Sequence, residues 1–384
     1  MKDAGKKQVL IIIDSLAHGG AEKSLTALLP RIDYSRIDVD LFVRSRGGVH
    51  EAEIPSCVSL VDYSPKGLRR QVMKVLHSLA IRLRGKAGHG AETEWNAIKA
   101  LYPSPRKKYD VAIAYQQGVP TFMVGSKIKA AKKIAWINAD IAEAGYSVAF
   151  CRDYYASIDR VVGVSEALSR KIVDDGFVAK EKVTTIYDII DTEAVYAGAR
   201  EHCYVLPVPD GTLRLVTVAR LSLPKNHLLA VQAAGILRQR GLKFVWHFVG
   251  DGPERAAITA AVREAGLEDC IILEGAKENP YPYFAAADIY VQTSSFEGFG
   301  ITLAEARLLG CPVVTTDFAV ARDQITDGLN GLIAEMTPES VARKIMLLAG
   351  DESLRQALGK RAAAAINATA YTESEKVNEL ICGK

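Results

Sequence analysis

Short, continuous apolar segments recur along the whole chain and constrain its fold more than any other feature. Val9–Ile13 is one such segment and ends at Asp14, and Val111–Tyr115 and Ile289–Gln292 are similar. Strands that are apolar on both faces are typical of parallel sheets covered by helices on both sides. The other predicted strands are Val39–Val43, Lys133–Ile137, Arg160–Val164, Lys182–Ile186, Leu213–Ala219, Phe244–Val249, Ile271–Leu273, Pro312–Thr315 and Leu332–Ala334.

Helical patterns lie between these strands. A helix is predicted over Ala21–Leu29, and Ser165 is placed to cap a second helix that ends near Asp175, before Gly176. Further helices are predicted over 226–240, 253–265, 281–287, 301–309, 338–349 and within 351–384. The alternation of strand and helix predicts an α/β chain with two Rossmann-like domains facing each other across a cleft.

The length of 384 residues fits two domains of roughly 150 residues each. A stretch rich in glycine and proline interrupts the alternation and is predicted to be a linker over 198–211. The N-terminal domain is expected over 1–197 and the C-terminal domain over 212–365. The segment 366–384 is expected to be a final helix.

Composition excludes several classes of protein. Hydrophobic residues make up 49% and charged residues 24%, as in ordinary globular proteins, and the net charge of +3 gives no indication of nucleic-acid binding. No apolar stretch reaches the ~18 residues that a membrane span needs. The six cysteines form no C-x-x-C pair. Asp38 and Asp40 form a D-x-D pattern, which can bind a metal ion, but here it opens an apolar strand. We expect a cytoplasmic protein with reduced thiols and no metal site.

One segment departs from the α/β pattern because it is strongly basic. Between residues 64 and 91 there is no Asp or Glu, and apolar residues recur at three- and four-residue steps. The basic residues of this segment are Lys66, Arg69, Arg70, Lys74, Arg82, Arg84 and Lys86. The segment is either a surface helix with a solvated basic face or a contact site for anionic lipid or a polyanionic acceptor.

The first candidate site motif follows the strand that ends near Gln292. Gly298 and Gly300 lie in a short loop before a helix, whose N-terminal N–H groups and dipole suit a phosphate. Glu297 and Glu305 are eight residues apart and are able to contact different hydroxyl-bearing parts of one ligand. The alternative is a helix-capping loop with two exposed acids.

The second motif, VARLSLPKN, places Arg220 at the end of a strand and Lys225 at the start of a helix. A cation at a helix N-terminus opposes the helix dipole unless an anion lies between them. The two side chains can hold a diphosphate and stabilise a departing phosphate. Two exposed basic residues beside a turn are the alternative.

The third motif is a glycine pair, Gly19 and Gly20, after the first strand and beside His18. It matches neither the dinucleotide-binding G-x-G-x-x-G pattern nor a P-loop. The loop can approach a phosphate or sugar, or it is a plain tight turn.

Together these motifs resemble family 4 of the retaining glycosyltransferases, which have the GT-B fold. The E-x7-E pattern of the family is similar to EGFGITLAEA, its basic pair to VARLSLPKN and its glycine loop to HGGAEK. VGVSEALSRKI, FVGDGPE, ENPYPYF and CPVVTTDF followed by DGLNGLI also resemble the family, and ENPYPYF resembles bacterial capsule and lipopolysaccharide enzymes.

The resemblance implies a role for each motif residue. Arg220 and Lys225 would hold the donor diphosphate, Glu297 the sugar hydroxyls and Glu305 the ribose. The other implied donor-binding residues are Gly19, Gly20, Gly250, Phe299, Gly300, Ile301 and Thr302. It further implies that the last helix crosses back onto the N-terminal domain. The donor would be a nucleotide sugar, with UDP favoured, and no metal or other cofactor would be needed.

Two segments differ from the family pattern. Asn138 stands where the family usually has His, and an amide cannot take up a proton at neutral pH. Asp188 and Ile189 stand where Asn and Pro are usual. Both differences concern the acceptor side, where Asn138 is the candidate catalytic residue.

We therefore expect a retaining hexosyltransferase or N-acetylhexosaminyltransferase, at the inner face of the plasma membrane, acting on a glycan or lipid-linked acceptor. The alternatives are a nucleotide-sugar-binding protein without turnover and a GT-B epimerase or phosphorylase.

Overall fold

The computed structural model describes residues 5–17, 19–83, 90–201, 208–209, 211–367 and 372–383. The chain divides into two compact units. The first comprises Met1–Ile189 with Tyr371–Lys384, and the second comprises Ile190–Ala370. The predicted linker over 198–211 lies partly outside the described residues.

The first unit is built on a seven-stranded parallel sheet. Its strands are β1 (Lys7–Ser15), β2 (Ile37–Ser45), β3 (Ser59–Leu60), β4 (Tyr109–Ala114), β5 (Ala130–Ile137), β6 (Arg160–Gly163) and β7 (Val183–Thr185). They pair in the order β3-β2-β1-β4-β5-β6-β7, so β1 is an interior strand with a neighbour on each side. Val9 of β1 lies opposite both Val39 and Val111 and is fully buried, which explains why β1 is apolar on both faces.

Six helices of the first unit follow in chain order. They are α1 (Gly20–Leu28), α2 (Leu68–Leu83), α3 (Gly90–Ile98), α4 (Val119–Ser126), α5 (Val148–Tyr155) and α6 (Glu166–Asp174). The predicted cap is confirmed, because the Ser165 hydroxyl accepts a hydrogen bond from the Leu168 N–H at 3.2 Å.

The second unit contains a six-stranded parallel sheet. Its strands are β8 (Leu213–Val218), β9 (Phe244–Val249), β10 (Ile271–Gly275), β11 (Ile289–Gln292), β12 (Val313–Thr316) and β13 (Leu332–Ala334), in the order β10-β9-β8-β11-β12-β13. Every strand predicted from the sequence is present in the two units, with each end within three residues of its predicted position.

The helices of the second unit are α7 (Thr192–Ala199), α8 (His227–Gln239), α9 (Arg255–Glu264), α10 (Tyr281–Ala286), α11 (Ile301–Leu308), α12 (Ala321–Gln324), α13 (Pro338–Gly350) and α14 (Glu352–Asn367). They enclose a core around Trp246 and Phe248, which are fully buried. The helix α7 belongs to this unit. The Asn279 side chain donates a hydrogen bond to the Gly198 carbonyl of α7 at 2.9 Å, and the Tyr196 hydroxyl of α7 donates one to the Leu308 carbonyl of α11 at 3.3 Å.

The last helix, α15 (Thr372–Cys382), belongs to the first unit. The Asn378 amide accepts a hydrogen bond from the Asp33 N–H and donates one to the Arg31 carbonyl, both at 3.0 Å. Lys132 donates to the Leu380 carbonyl at 2.6 Å. These bonds join the end of the chain to the surroundings of α1 and β5.

Candidate functional site

The candidate donor site lies at the carboxyl ends of β8 and β11, the two middle strands of the second sheet. The order of the strands changes direction at β8. The next strand in sequence, β9, pairs with β8 on one side, and β11 pairs with it on the other side. Ligands of open α/β sheets bind beyond the carboxyl ends of the strands at such a change of direction. The loops that leave β8 and β11 at this point contain Arg220, Lys225, Glu297 and Gly300.

Lys225 and Glu297 form the central contact of this site. The Lys225 ammonium lies 2.6 and 2.5 Å from the two oxygens of the Glu297 carboxylate. Gln292 and Ser294 donate further hydrogen bonds to Glu297 Oε1, at 2.8 and 2.7 Å. The carboxylate is therefore held in place by three neighbours, and the structure brings together two residues that the sequence placed in separate motifs.

Backbone and side-chain hydrogen bonds hold the two loops against each other. The Ser295 N–H donates to the Pro224 carbonyl at 2.8 Å, and the Thr293 hydroxyl is 3.1 Å from the carbonyls of Lys225 and Asn226. Asn226 has a φ of 48°, a left-handed conformation that lets the loop turn directly into α8. The loop geometry fixes where the Lys225 ammonium lies.

Gly300 caps α11 with a φ of 87°. The nearest atom to a Cβ built at this position is 3.6 Å away, so the backbone conformation and not crowding is the reason for glycine here. The buried amide of Gln324 donates to the Phe299 carbonyl at 2.5 Å and accepts from Arg307 at 3.2 Å. The turn before α11 is thus fixed, with the helix N-terminus at the loop.

The other predicted donor residues on α11 are largely buried. Phe299 and Ile301 are 8% and 9% exposed, and the Thr302 hydroxyl accepts a hydrogen bond from Tyr290 at 3.0 Å. Glu305 is 1% exposed and accepts a hydrogen bond from the Tyr281 hydroxyl at 3.1 Å. The alternative of two exposed acids is therefore wrong for Glu305, which lies inside the unit.

Arg220 and Gly250 lie where the loops after β8 and β9 meet. A Cβ at Gly250 would overlap the carbonyl oxygen of Ala219, and Gly250 also has a φ of 146°. The Leu221 N–H donates to the Asp251 carbonyl at 3.0 Å. The Arg220 side chain is exposed and forms no hydrogen bond or ion pair with another described residue.

Three predicted site residues belong to the first unit. Gly19 and Gly20 join β1 to α1, and a Cβ at Gly19 would overlap the carboxylate of Glu22. His18 lies outside the described residues. Asn138 follows β5, and its N–H donates to Gln117 at 2.8 Å. Both polar atoms of the Asn138 side chain are buried without a hydrogen-bond partner in the described part of the chain.

Asp188 is a second buried polar group of the first unit. Burial raises the pKa of its carboxyl to about 7, although a hydrogen bond with Ser24 acts in the opposite direction. The negative charge of Glu22 raises it further. A group of this kind changes its charge near neutral pH, which the sequence did not indicate.

Sequence reasoning also missed the residues that orient the candidates. Gln292 and Ser294 hold Glu297, and Gln324 holds the turn before α11. Gln292 and Ser294 are polar residues that are almost fully buried at the end of a strand, and a polar residue ending an apolar strand is a signal that could have pointed to them.

The aspartates of the D-x-D pattern have structural contacts. Asp40 is buried in β2, where its carboxylate pairs with Lys107 and accepts a hydrogen bond from the Tyr109 hydroxyl at 2.8 Å. In the described ranges, no three His, Cys, Asp or Glu side chains are grouped as metal ligands require. The described cysteines, Cys57, Cys151, Cys270, Cys311 and Cys382, are free thiols, and Cys203 lies outside those ranges.

The fold is the one seen in glycosyltransferases of the GT-B class. Residues 202–365 match the family model "Glycosyl transferases group 1". Anabaena HepE in complex with UDP and glucose has a similar structure, with a TM-score of 0.73 over 98% of this chain and 100% of that one, at 18% identity. At this identity the similarity concerns the fold.

Two curated bacterial relatives agree with that class. Poly(glycerol-phosphate) alpha-glucosyltransferase of Bacillus subtilis is 34% identical over 160 residues, which are 41% of this chain and 24% of that protein. N-acetylgalactosamine-N,N'-diacetylbacillosaminyl-diphospho-undecaprenol 4-alpha-N-acetylgalactosaminyltransferase of Campylobacter jejuni is 26% identical over 92% of this chain and 93% of its own length. The chain contains a group 1 glycosyltransferase domain and is a glycosyltransferase.

Proposed function

We propose that this protein is a retaining glycosyltransferase that transfers a hexose or an N-acetylhexosamine from a UDP-sugar to a lipid-linked or surface-polysaccharide acceptor. The observation that carries the proposal is the Lys225–Glu297 pair at the N-terminus of α11. A cation, a carboxylate and a helix N-terminus at the change of strand direction match a ligand with a diphosphate and sugar hydroxyls.

In this proposal the basic residues bind the diphosphate of the donor. The Lys225 ammonium has three N–H donors and the Arg220 guanidinium has five. The N-terminal N–H groups of α11 add the positive end of a helix dipole. These charges stabilise the leaving diphosphate, so the proposed mechanism uses no metal ion and no other cofactor.

Glu297 orients the sugar. A carboxylate only accepts hydrogen bonds, and sugar hydroxyls are donors. Gln292 and Ser294 prevent the carboxylate from turning away, so it presents a fixed acceptor to the donor sugar. Glu305, deeper in the same unit, is proposed to contact the ribose.

The transfer step is proposed to follow a front-face route. The bond between the anomeric carbon and the diphosphate oxygen breaks while the acceptor oxygen bonds to the same face of that carbon. The acceptor proton passes to the departing diphosphate oxygen, which accounts for retention without a protein base. Asn138 is a neutral amide and suits an orienting role toward the sugar or acceptor.

Names of similar proteins support the choice of donor and acceptor. The Anabaena neighbour was crystallised with UDP and glucose, and the Campylobacter relative is named for a diphospho-undecaprenol acceptor. Both curated relatives are named as alpha-transferases.

Thermal unfolding with nucleotides tests the donor site. We expect millimolar UDP to raise the melting temperature of the wild-type protein, and Arg220→Ala with Lys225→Ala to remove most of that increase. The matched control is Lys243→Ala with Arg263→Ala, which removes two exposed cations of the same unit. An unchanged melting temperature with both UDP and GDP would contradict the proposal.

A transfer assay across UDP-sugars tests the reaction itself. We expect one sugar to be transferred with retention of its anomeric configuration, as measured by NMR of the product. Nucleotide binding without transfer or hydrolysis for any sugar would instead favour a nucleotide-sugar-binding protein, the alternative motivated by Asn138. Phosphate-dependent release or isomerisation of the sugar would indicate a phosphorylase or an epimerase.

We further propose that the helix α2 contacts an anionic membrane at the inner face of the plasma membrane. Leu68, Val72, Val75 and Leu79 form one face of this helix and are 75%, 39%, 66% and 48% exposed. By their helical spacing, Arg69 and Arg82 flank that apolar face, as in helices that lie on lipid surfaces. No helix in the described ranges is long and apolar enough to cross a bilayer.

Vesicle binding tests the membrane contact. We expect the protein to bind phosphatidylcholine vesicles with 20% phosphatidylglycerol at low salt. Binding should weaken as the salt concentration rises, because charges are screened beyond the Debye length, which is about 10 Å at 0.1 M. Leu68→Ser with Val75→Ser should weaken this binding, whereas Leu347→Ser, at a half-exposed site of α13, should not. Equal binding by all three proteins would rule out this role for α2.

A further inference from the structure

A surface cavity of about 740 Å³ lies in the first unit beside α2. Its lining comes from the end of β2, the segment before α2, the cavity-facing side of α2, and α3. Five of the lining residues are Lys or Arg, namely Arg44, Arg46, Lys66, Arg70 and Lys74, and His77 is a sixth basic side chain. Two carboxylates, Asp62 and Glu94, also line it.

Two of these cations have carboxylate partners. Arg44 is largely buried, pairs with Asp14 and lies 2.5 Å from Glu94. Arg46 lies 2.8 Å from Glu51. These ion pairs lie at the end of β2, and their carboxylates neutralise the charges of the two arginines.

The other three cations are not balanced. Lys66, Arg70 and Lys74 form no ion pair or side-chain hydrogen bond with any residue that the structure describes, and all three are exposed. Like charges around one cavity repel each other, and an anion with several charges removes that repulsion. Phosphate groups supply the acceptor oxygens that Lys and Arg bind best.

The position of the cavity relates it to the β1–α1 glycine loop. Strands β1 and β2 are parallel, so the loops after both leave the sheet at the same edge. The His50 N–H donates to the Leu16 carbonyl at 3.0 Å, and Gly48 packs so closely on Leu16 that a Cβ there would overlap its backbone. The Arg44–Asp14 pair also joins the two strand ends.

We propose that this cavity binds the phosphate or diphosphate group of the acceptor, with Lys66, Arg70 and Lys74 as its ligands. This rests on the proposed function, in which the acceptor carries a sugar on a phosphate-bearing carrier. The volume falls in the roughly 300–1,000 Å³ range of ligand pockets and leaves room for more than a phosphate group. The apolar face of α2 points away from the cavity-lining side chains, so the two surfaces act separately.

The test measures pyrophosphate binding by calorimetry with the donor site saturated by UDP, so that Lys225 and Arg220 do not contribute. We expect the triple variant Lys66→Ala, Arg70→Ala, Lys74→Ala to bind inorganic pyrophosphate about tenfold more weakly or worse. The control is Lys129→Ala, Arg152→Ala, Lys180→Ala, which removes three exposed cations elsewhere in this unit and should bind as the wild type does.

The contrary outcomes are distinct. Absence of pyrophosphate binding in the wild type, or equal affinity in the triple variant, would overturn the inference. Vesicle binding that is lost in the triple variant, without pyrophosphate binding in the wild type, would assign the cations to lipid headgroups and would also overturn it. Failure of UDP itself to bind, measured first, would instead contradict the proposed function.

Discussion

The Glu297 side chain illustrates how much of this site is decided at single residues. Its carboxylate accepts hydrogen bonds from Lys225, Gln292 and Ser294, and two of these residues come from the strand and loop that precede it. The carboxylate pairs with the Lys225 ammonium, and in the proposed function it also accepts hydrogen bonds from the donor sugar.

The variant Glu297→Gln tests the charge of this side chain without changing its size. The amide keeps the size of the side chain and loses its charge, so we expect kcat for sugar transfer to fall about 100-fold. The affinity for UDP, which has no sugar hydroxyls at that point, should change less than about threefold. Steady-state kinetics and calorimetry measure the two effects, and an unchanged kcat would exclude Glu297 from the reaction.

Asp188 gives a prediction about pH. Its carboxyl has an ordinary pKa near 3.8 in the unfolded chain and about 7 in the fold, so the folded state binds the proton more tightly. Its contribution to stability therefore falls as the pH rises from about 4 to about 7 and stays low above that. Asp188→Asn removes this loss and should raise the melting temperature by several degrees at pH 8 but much less at pH 4.

The control for this measurement is Asp153→Asn, an exposed aspartate on α5. We expect its melting temperature to follow that of the wild type at both pH values. If Asp188→Asn is less stable than the wild type at pH 8, the carboxylate is needed in its charged form, and the proposed cause of its raised pKa is wrong.

At the scale of elements, the packing of α14 on the end of α11 depends on two glycines. Gly310 follows α11, and a Cβ added to Gly359 of α14 would overlap the carbonyl oxygen of Gly310. Because that neighbour is backbone, the helices would have to move apart. The helix α11 begins at Gly300, so its displacement also affects the candidate donor site.

Gly359→Ala should destabilise the second unit although alanine favours helices. The gain in helix propensity is at most about 1 kcal/mol, and forced repacking costs about 1–3 kcal/mol. We expect a lower midpoint of chemical unfolding and weaker UDP binding. Gly350→Ala, at the end of α13 with no atom within 4 Å of the added Cβ, is the matched control and should be neutral or stabilising. Equal behaviour of both variants would show that α14 is free to move.

Most elements followed from the sequence because their apolar patterns are local. The Ser165 cap and the strands β9, β11 and β13 were predicted with their observed bounds. The strand β3 was missed because it has two residues, both exposed. The helices α3, α4, α5, α7 and α12 were not predicted. In α4 the six residues 119–124 are all buried, so this helix lacks the polar face that would show helical periodicity.

At the scale of the whole molecule, the chain returns to its first unit at the end. The helix α15 buries Val377 and Ile381 there, and the Tyr187 N–H donates to the Glu373 carboxylate at 2.8 Å. The first unit is thus built from two segments that are far apart in sequence, so its stability depends on the last residues of the chain.

Val377→Asp tests this dependence. A carboxylate at a position that is 1% exposed is poorly solvated, so α15 should detach. We expect faster hydrogen exchange in β1, α1 and β5, and unchanged exchange in β8 to β13. Glu375→Ala, at an exposed site of the same helix, is the control. Unchanged exchange in β1 and β5 would mean that α15 does not support the first unit.

The sequence by itself determined the alternation of strands and helices, the approximate bounds of every strand except β3, and the loops that contain the candidate residues. It did so because apolar periodicity, helix caps and glycine loops are local properties of the chain. Only the tertiary structure decided that Glu297 pairs with Lys225, that Glu305 is buried and that burial raises the pKa of Asp188. The tertiary structure also decided that Lys66, Arg70 and Lys74 line one cavity without carboxylate partners among the described residues. Each depends on contacts or solvent exposure set by segments distant in sequence, and no local pattern records these.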